Sequence, residues 1–581
     1  MPSKKNLWFV ASIALYALII GYLFRPILFN LSTQLYDWND YPLIVWIIDQ
    51  HLDHILAGNW GQFFQSNIFY PFQDTLLFSD LLLPSALITL PIYLLIPNMI
   101  TAFNITFFIT LFLNFFASWH LWRKTWDGPL LILATFVTAL MPFVIINTSH
   151  YQMITLWPFL FGFSQLLNNK SGKWQPFWLG FWTSVTFVSS VYLSIFLMYC
   201  IGIWFLVQLL AEREDFAKKW RGWLQWGSIF VLTVAVLAGP FMYKYYAMRQ
   251  FYDAKRDFGE YVNYSASIFD YVSNSSYQSV VSSFWLFERW NRLLATAAGG
   301  FFPTFILGAL AIWNLKFLVK KKPFELGIGF PITRSTLFFG ALAISGLIFS
   351  LGPRLRVGSV YIGPPLPYAV LLKFIPIFEP IRATSRWSLL FFIGIIFFGM
   401  LGLKKVLKKV DKKWHVAIVG LVLCVYFAEV LPINRTYEPA TPERAISTHL
   451  QPLCDDSPVL LEYPILYNPY GDGRGIFLML QHWTGIVLDA TDHNCRVVNG
   501  YSGYSPDAYN EYHISVDESL ETTNAQEFQG LLEKRNVQLL RIHSQKLTAT
   551  QSATLAEWQA ESGAEEVFES GDEVIYAVPN Y

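Results

Sequence analysis

Two carboxylates three residues apart, Asp37 and Asp40, stand among aromatics in Tyr36-Asp37-Trp38-Asn39-Asp40-Tyr41-Pro42. A carboxylate held there can take the proton of an attacking hydroxyl and act as general base. A structural role fits the same residues. Asp40 can cap the helix that follows, with Pro42 in its first turn, and a cap made by one Asp leaves the other for chemistry. That helix is expected from about residue 43 to 57. At 100° per residue Ile44, Val45, Ile48, Leu52, Ile55 and Leu56 share one face; Asp49, Gln50, Asp53 and His54 share the other. The pattern predicts a helix lying in a membrane interface, with Asp49, Asp53 and His54 on its solvated side. A divalent-cation site at those three residues is the alternative.

A second polar group lies further along. Arg382 and Arg386 stand four apart in Phe378-Glu379-Pro380-Ile381-Arg382-Ala383-Thr384-Ser385-Arg386-Trp387, a spacing that stacks them on one helix face. Guanidinium groups fork onto phosphate oxygens, so a phosphate ligand fits; snorkelling at the interface is the structural alternative. Arg256 and Glu260, in Arg256-Asp257-Phe258-Gly259-Glu260-Tyr261, are further substrate-binding candidates, with Glu260 the reserve base. Cys454 and Cys495 are a candidate disulfide if they face an oxidising compartment. No CxxC occurs, and the cysteine spacing is not that of a zinc site.

What must position these residues is a membrane body. Of 581 residues 54% are hydrophobic and 14% charged, against about 25% charged in ordinary soluble chains. A disordered chain is excluded and a soluble enzyme disfavoured. Candidate spans fall at about 7–24, 79–96, 100–121, 129–146, 152–167, 175–210, 223–243, 297–318, 333–351, 385–403 and 414–432, about eleven in all. The first, behind Lys4 and Lys5, reads as a start-transfer anchor rather than a cleaved signal. Residues 175–210 are too long for one span and read as two short helices if they break near Ser189-Ser190. Lys218-Lys219-Trp220-Arg221, Lys320-Lys321-Lys322 and the lysines from Lys404 to Lys413 mark the cytoplasmic side. Counting from them puts the loops 25–78, 244–296 and 352–384 outside. One short loop disagrees: Arg123-Lys124 also falls outside unless 79–96 or 100–121 is re-entrant.

The zero net charge hides a division. Residues 434–581 carry 22 acidic and 8 basic residues; residues 1–433 carry 19 and 33. The chain therefore reads as a basic-flanked, mainly α transmembrane domain, 1–433, and an acidic, soluble, extracytoplasmic α/β domain, 434–581. In the latter, strands are expected at Val459–Tyr463 and Val537–Ile542, helices at 519–535 and 548–562, and a hairpin around Ser570-Gly571-Asp572. No basic soluble patch suggests nucleic acid. No Walker loop, HExxH, GxSxG or kinase signature is present, which argues against an ATP-driven pump and a soluble-type hydrolase.

Several short stretches carry a resemblance: Asp37-Trp38-Asn39-Asp40; Ile68-Phe69-Tyr70-Pro71-Phe72 with Phe78-Ser79-Asp80; Gly299-Gly300-Phe301-Phe302-Pro303; Ser350-Leu351-Gly352-Pro353-Arg354; Phe378 through Arg386; and Asn499-Gly500-Tyr501-Ser502-Gly503-Tyr504. In this order the chain resembles bacterial polytopic membrane proteins related to the GT-C glycosyltransferases. The resemblance implies a helical body in the plasma membrane, a catalytic first outer loop and a trailing outer domain. It implies a sugar taken from a polyprenyl-phosphate donor and passed to a glycan, lipid or protein acceptor. By position Asp37 or Asp40 would be the base, and by extension Arg382 or Arg386 would face the lipid phosphate. A divalent cation stays open, since members of this superfamily differ in needing one. A non-catalytic scaffold that binds a glycan, and a transporter of lipid-linked glycan, are the competing readings.

Overall fold

The computed structural model describes residues 4–167, 174–211, 213–271, 308, 310, 333–357, 360–432, 447–465 and 473–579. The chain divides into two compact units. One comprises Met1–Leu28, Phe107–Met242 and Lys255–Thr436; the other Phe29–Thr106, Tyr243–Ala254 and Tyr437–Tyr581. This cut differs from the linear boundary expected at 433/434. The tail is one body with residues 29–106.

The first unit is helical. Over the described residues of the whole chain, five helices are long and apolar enough to cross a membrane: Met99–Trp122, Gly128–Ile146, Val191–Ala211, Thr384–Leu407 and Lys412–Val430. A sixth follows if Trp220–Leu237 and Gly239–Phe251, bent by 63°, form one span. The stretch 175–210 does break, into Gln175–Ser189 and Val191–Ala211, with Ser190 extended between them. Residues 152–167 hold two shorter helices, Tyr151–Ile154 and Trp157–Leu166. The expected span 297–318 apart from residues 308 and 310, Lys320-Lys321-Lys322 and the Gly299–Pro303 motif lie outside the described residues.

Close helix packing in this unit rests on glycine. The helices Arg334–Ser350 and Ser388–Leu407 approach so closely that a Cβ on Gly394 would meet the Phe339 carbonyl oxygen at 2.6 Å and the Ala343 Cβ at 2.7 Å. Gly346 likewise leaves no room against the Phe391 backbone. Small residues at such a crossing let backbones touch, and dispersion contacts then hold helices that lipid would not drive together. Phe339 and Phe397 stack across the same seam at 4.0 Å. A short hairpin, β1 (Leu355–Val357) with β2 (Val360–Ile362), follows the helix Arg334–Ser350.

The second unit is built on a five-stranded sheet of β3 (Val459–Tyr463), β4 (Arg496–Val497), β5 (Leu539–His543), β6 (Glu565–Ser570) and β7 (Glu573–Ala577). The strand order is β4-β3-β5-β7-β6, parallel through β4, β3 and β5 and antiparallel beyond. One face carries Leu461, Tyr463, Leu540 and Ile542 into a core with Val516, Leu520, Phe528 and Trp558. The helix Ala549–Ser562 begins with a capping box between Thr548 and Gln551, as its sequence demands. The single helix expected over 519–535 is instead two, Asp507–Glu521 and Ala525–Lys534. Thr523 turns the chain at φ 55° and the Asn524 side chain caps the second helix.

The edge of this sheet is not left open. The Val497 N–H donates to the Asn67 carbonyl at 2.6 Å, and Tyr70 N–H to the Val497 carbonyl at 3.0 Å. Phe69 N–H donates to the Asn499 carbonyl at 3.0 Å. Residues 67–70 thus run along β4 and cover its edge, which an exposed sheet would otherwise offer to another chain.

Also in this unit, the expected span 79–96 is realised as a thirteen-residue helix, Leu83–Leu95. At 1.5 Å per residue it reaches about 20 Å, short of a hydrocarbon core of about 30 Å.

Candidate functional sites

Asp37 and Asp40 lie in the second unit, in the turn that opens the helix Tyr41–Ala57. Asp40 occupies the N-cap position but its side chain makes no capping bond, which corrects the expected cap; Pro42 does sit in the first turn. The Asp40 Oδ1 instead lies 3.5 Å from the Tyr501 hydroxyl. Asp37 shapes the turn: its Oδ1 accepts the Asn39 N–H at 3.1 Å. Between them the Trp38 carbonyl accepts the Thr484 hydroxyl at 2.6 Å. Trp483 and Tyr501 stand ring to ring at 6.1 Å. The helix Gly473–Asp489 and the loop after β4 therefore fix the turn from the side of the tail.

The motifs of the first outer loop and of residues 499–504 interlock around this turn. A Cβ on Gly500 would reach the Phe69 ring at 2.5 Å, so only glycine fits under that ring. Phe78 meets Tyr504 edge to face at 5.3 Å. Asn67 ties three elements together: its side chain accepts from Trp46 Nε1 at 2.9 Å and donates to the Ala490 carbonyl at 2.7 Å, and its N–H donates to Gln50.

The helix Tyr41–Ala57 is not an interfacial helix. Every residue from Tyr41 to Leu52 is buried, Asp49, Gln50 and His51 included. The helix Gly473–Asp489 packs against it, so no solvated face exists along that stretch. Burial raises the Asp49 pKa well above the carboxylate range, and Asp53 and Asp492 add to the effect. His54 Nε2 is engaged by the Gln65 carbonyl at 2.7 Å. Among the described residues the group of ligand atoms close enough to share an ion is Cys454, His493 and Cys495, not Asp49, Asp53 and His54. The two cysteines are joined as a disulfide, with Cα atoms 4.7 Å apart.

The arginines belong to the first unit. They do not share a helix face: Arg382 precedes the 3-10 turn Thr384–Trp387 and Arg386 lies within it, because the α-helix starts only at Ser388. They are gathered nonetheless. Arg382 Nη1 and Arg256 Nη1 stand 3.8 and 3.6 Å from Glu260 Oε2. Arg382 covers the Tyr264 ring at 5.5 Å and Arg386 the Tyr192 ring at 4.9 Å. The Tyr192 hydroxyl accepts the Ala383 N–H at 3.3 Å. Burial, then Arg386 and Arg382, push the His150 pKa down to about 3, so this imidazole is neutral at physiological pH. Arg256 and Arg382 thus share the Glu260 carboxylate, and guanidinium groups of this kind can fork onto the oxygens of an anion. Sequence reading missed His150 and Tyr192. The signal was present in the polar break Asn147-Thr148-Ser149-His150 between two apolar stretches.

It also missed a buried charge network in the tail. Arg541, on β5, donates to Glu462 on β3 at 3.0 Å, to Asp489 at 3.0 Å and to Glu573 on β7 at 2.7 Å. His543 Nε2 lies 3.3 Å from Glu462. Burial would raise the Glu462 pKa, but Arg541 and His543 override it and hold it at about 2.

No protein-family model matches the chain, and no curated protein matches it. Solved structures do. The arabinofuranosyltransferase AftD from Mycobacteria is similar over 100% of this chain, with TM-score 0.58 and 11% identity. The chain spans 42% of that protein. The oligosaccharyltransferase AglB from Archaeoglobus fulgidus (TM-score 0.44, 13% identity) matches over 100% of this chain and 75% of its own. ArnT from Cupriavidus metallidurans (0.43, 11%) matches over 99% and 98%. At a TM-score of 0.58, the chain shares its fold with the AftD structure.

Proposed function

We propose that the protein is a membrane glycosyltransferase that moves a sugar from a polyprenyl-phosphate donor to an extracytoplasmic acceptor. A carboxylate of the first outer loop, Asp37 or Asp40, takes the proton of the acceptor hydroxyl as it attacks the anomeric carbon. The observation that carries this reading is the bracing of their turn by Thr484 and Tyr501, while Asp40 makes no side-chain cap to its helix. Such support is what a positioned base needs and a helix cap does not. Arg382, Arg386 and Arg256 suit the phosphate of the donor, with Glu260 and His150 beside them.

The test is sugar transfer by purified Asp37→Asn and Asp40→Asn proteins with a panel of polyprenyl-phosphate sugars. The panel includes a pentofuranosyl donor, since the AftD structure bears the name of an arabinofuranosyltransferase. Asn keeps the size of Asp but cannot take a proton. Transfer should fall by about 10²–10⁴-fold at the true base and stay near parental at the other. Parental turnover in both variants would move the base elsewhere, with Glu260 next in line.

A revised topology goes with this reading. Omitting a crossing at 79–96 and gaining one at Ser190 leaves every loop after residue 191 on the side that charge assigned to it. Only the segment between is inverted. Arg123-Lys124 then joins the other basic loops in the cytoplasm. His150 and Tyr192 come to the outer side, where Arg382 and Arg386 belong, in keeping with their proximity. The tail stays extracytoplasmic, where a disulfide persists.

A further inference from the structure

Cys454, His493 and Cys495 gather in the second unit where the chain enters the parallel strands. Cys454 follows the helix Ser447–Leu453, and a turn closed by the Ser457 N–H on the Cys454 carbonyl at 3.0 Å leads into β3. Cys495 immediately precedes β4. Val459 and Arg496 are partners in the parallel β3–β4 pair, and Arg496 Nε also donates to the Ser457 carbonyl at 2.8 Å. This pairing brings together two cysteines 41 residues apart, a separation in which no local metal motif is legible. His493, two residues before Cys495, completes the group. One ligand atom from each of the three lies within 4.8 Å of the others.

The disulfide accounts for the sulfurs but not for the imidazole. Both cysteines are fully buried and His493 is 5% exposed. Neither ring nitrogen of His493 has a hydrogen-bond partner, a costly state for a buried polar group. Burial pulls its pKa down to about 4, so at neutral pH the ring is uncharged and one nitrogen carries a lone pair. Two thiolates and a neutral imidazole are a donor set that thiophilic cations prefer. Such donors sit about 2.0–2.3 Å from zinc and hence roughly 3.5–4 Å from one another, close to the spacing of this cluster.

We infer that, once the disulfide is reduced, Cys454, Cys495 and His493 bind a thiophilic cation, zinc or Cu(I), so that ion and disulfide exclude each other. An external dithiol supplies two electrons and two protons, opens the S–S bond to two thiols and is itself closed to a disulfide. The cation then displaces both thiol protons to water and takes the two thiolates and the His493 lone pair. Reoxidation consumes the sulfur ligands and releases it. The inference uses none of Asp49, Asp53 and His54 and does not depend on the transferase reading.

The test is metal uptake by the intact, detergent-purified protein, in its disulfide form and after anaerobic reduction with a dithiol that is then removed. Zinc and Cu(I) are each measured in competition with a chromophoric chelator. The reduced protein should take up about one ion per chain, and the disulfide form none. Cys200 and Cys424 are thiols in both forms, so an ion held by them would appear in both. His493→Ala should still form the disulfide, but after reduction its affinity should fall at least about tenfold. Should that variant not fold, Cys495→Ser removes a sulfur instead and should give at least the same loss. Cu(I) bound more tightly than zinc, with the same dependence on reduction and on His493, would support the site and name its occupant. Equal uptake by the two forms, no uptake of either ion after reduction, parental uptake by the variants, or loss of cooperative melting on reduction would each overturn the inference.

Discussion

Arg386 illustrates what a single side chain contributes here. Its guanidinium lies over the Tyr192 ring and near a neutral His150. Arg386→Lys keeps the charge but loses the plane and the fork. Affinity for undecaprenyl phosphate, measured by titration, should fall roughly 10–150-fold, the equivalent of one charge-assisted bond; an unchanged affinity would leave packing as its role. Glu462 tests the tail in a different way. Its folded pKa, about 2, lies below its ordinary value, so it stabilises the fold above about pH 4.3 and that stabilisation is lost as pH falls toward 2. Glu462→Gln should cost about 3–5 kcal/mol at neutral pH by stranding Arg541 and should flatten the acid limb of the melting curve. Asp37, Asp40 and the arginines were visible in the sequence because polar residues are scarce in such a chain. The Glu462–Arg541 network was not, since strand alternation alone does not say which charged face will be covered by a helix.

Among the elements, the glycine seam between Arg334–Ser350 and Ser388–Leu407 is the most exacting. Gly394→Val should push the Phe339 carbonyl away and lower stability by about 1–3 kcal/mol, read as a lower Tm of the detergent-solubilised protein. Gly420→Val, which meets nothing within 4 Å, is the control that should leave Tm unchanged. Hydropathy located these helices well, and the overlong stretch 175–210 foretold its own break at Ser190. The apolar run at 79–96 gives a shorter helix than expected, Leu83–Leu95, with Leu87, Leu94 and Leu95 exposed. Hydropathy misjudged Tyr41–Ala57, because its polar face meets the helix Gly473–Asp489 rather than water.

For the whole molecule, the revised topology makes two positions diagnostic. In a background without the free thiols Cys200 and Cys424, Ser149→Cys should react with an impermeant maleimide in intact cells. Asp127→Cys should react only after permeabilisation. The reverse pattern would restore a crossing at 79–96. No sequence pattern announced that the first outer loop and the tail are one unit, because their pairing is carried by backbone bonds and a ring over Gly500, which leave no periodic trace.

The strip of outer loop along β4 sets a schedule for the protein's synthesis. Asn67 emerges 430 residues before Val497, the partner that its carbonyl accepts from. At about 5–20 residues per second the ribosome needs roughly 20–90 s to close that gap. Throughout that interval Val497 and Asn499 are not there to meet the backbone of Asn67, Phe69 and Tyr70, and the turn bearing Asp37 and Asp40 lacks the hydroxyls of Thr484 and Tyr501. Assembly of this unit is thus a late event, and a chain stopped short of the tail would carry the carboxylates without the frame that aims them.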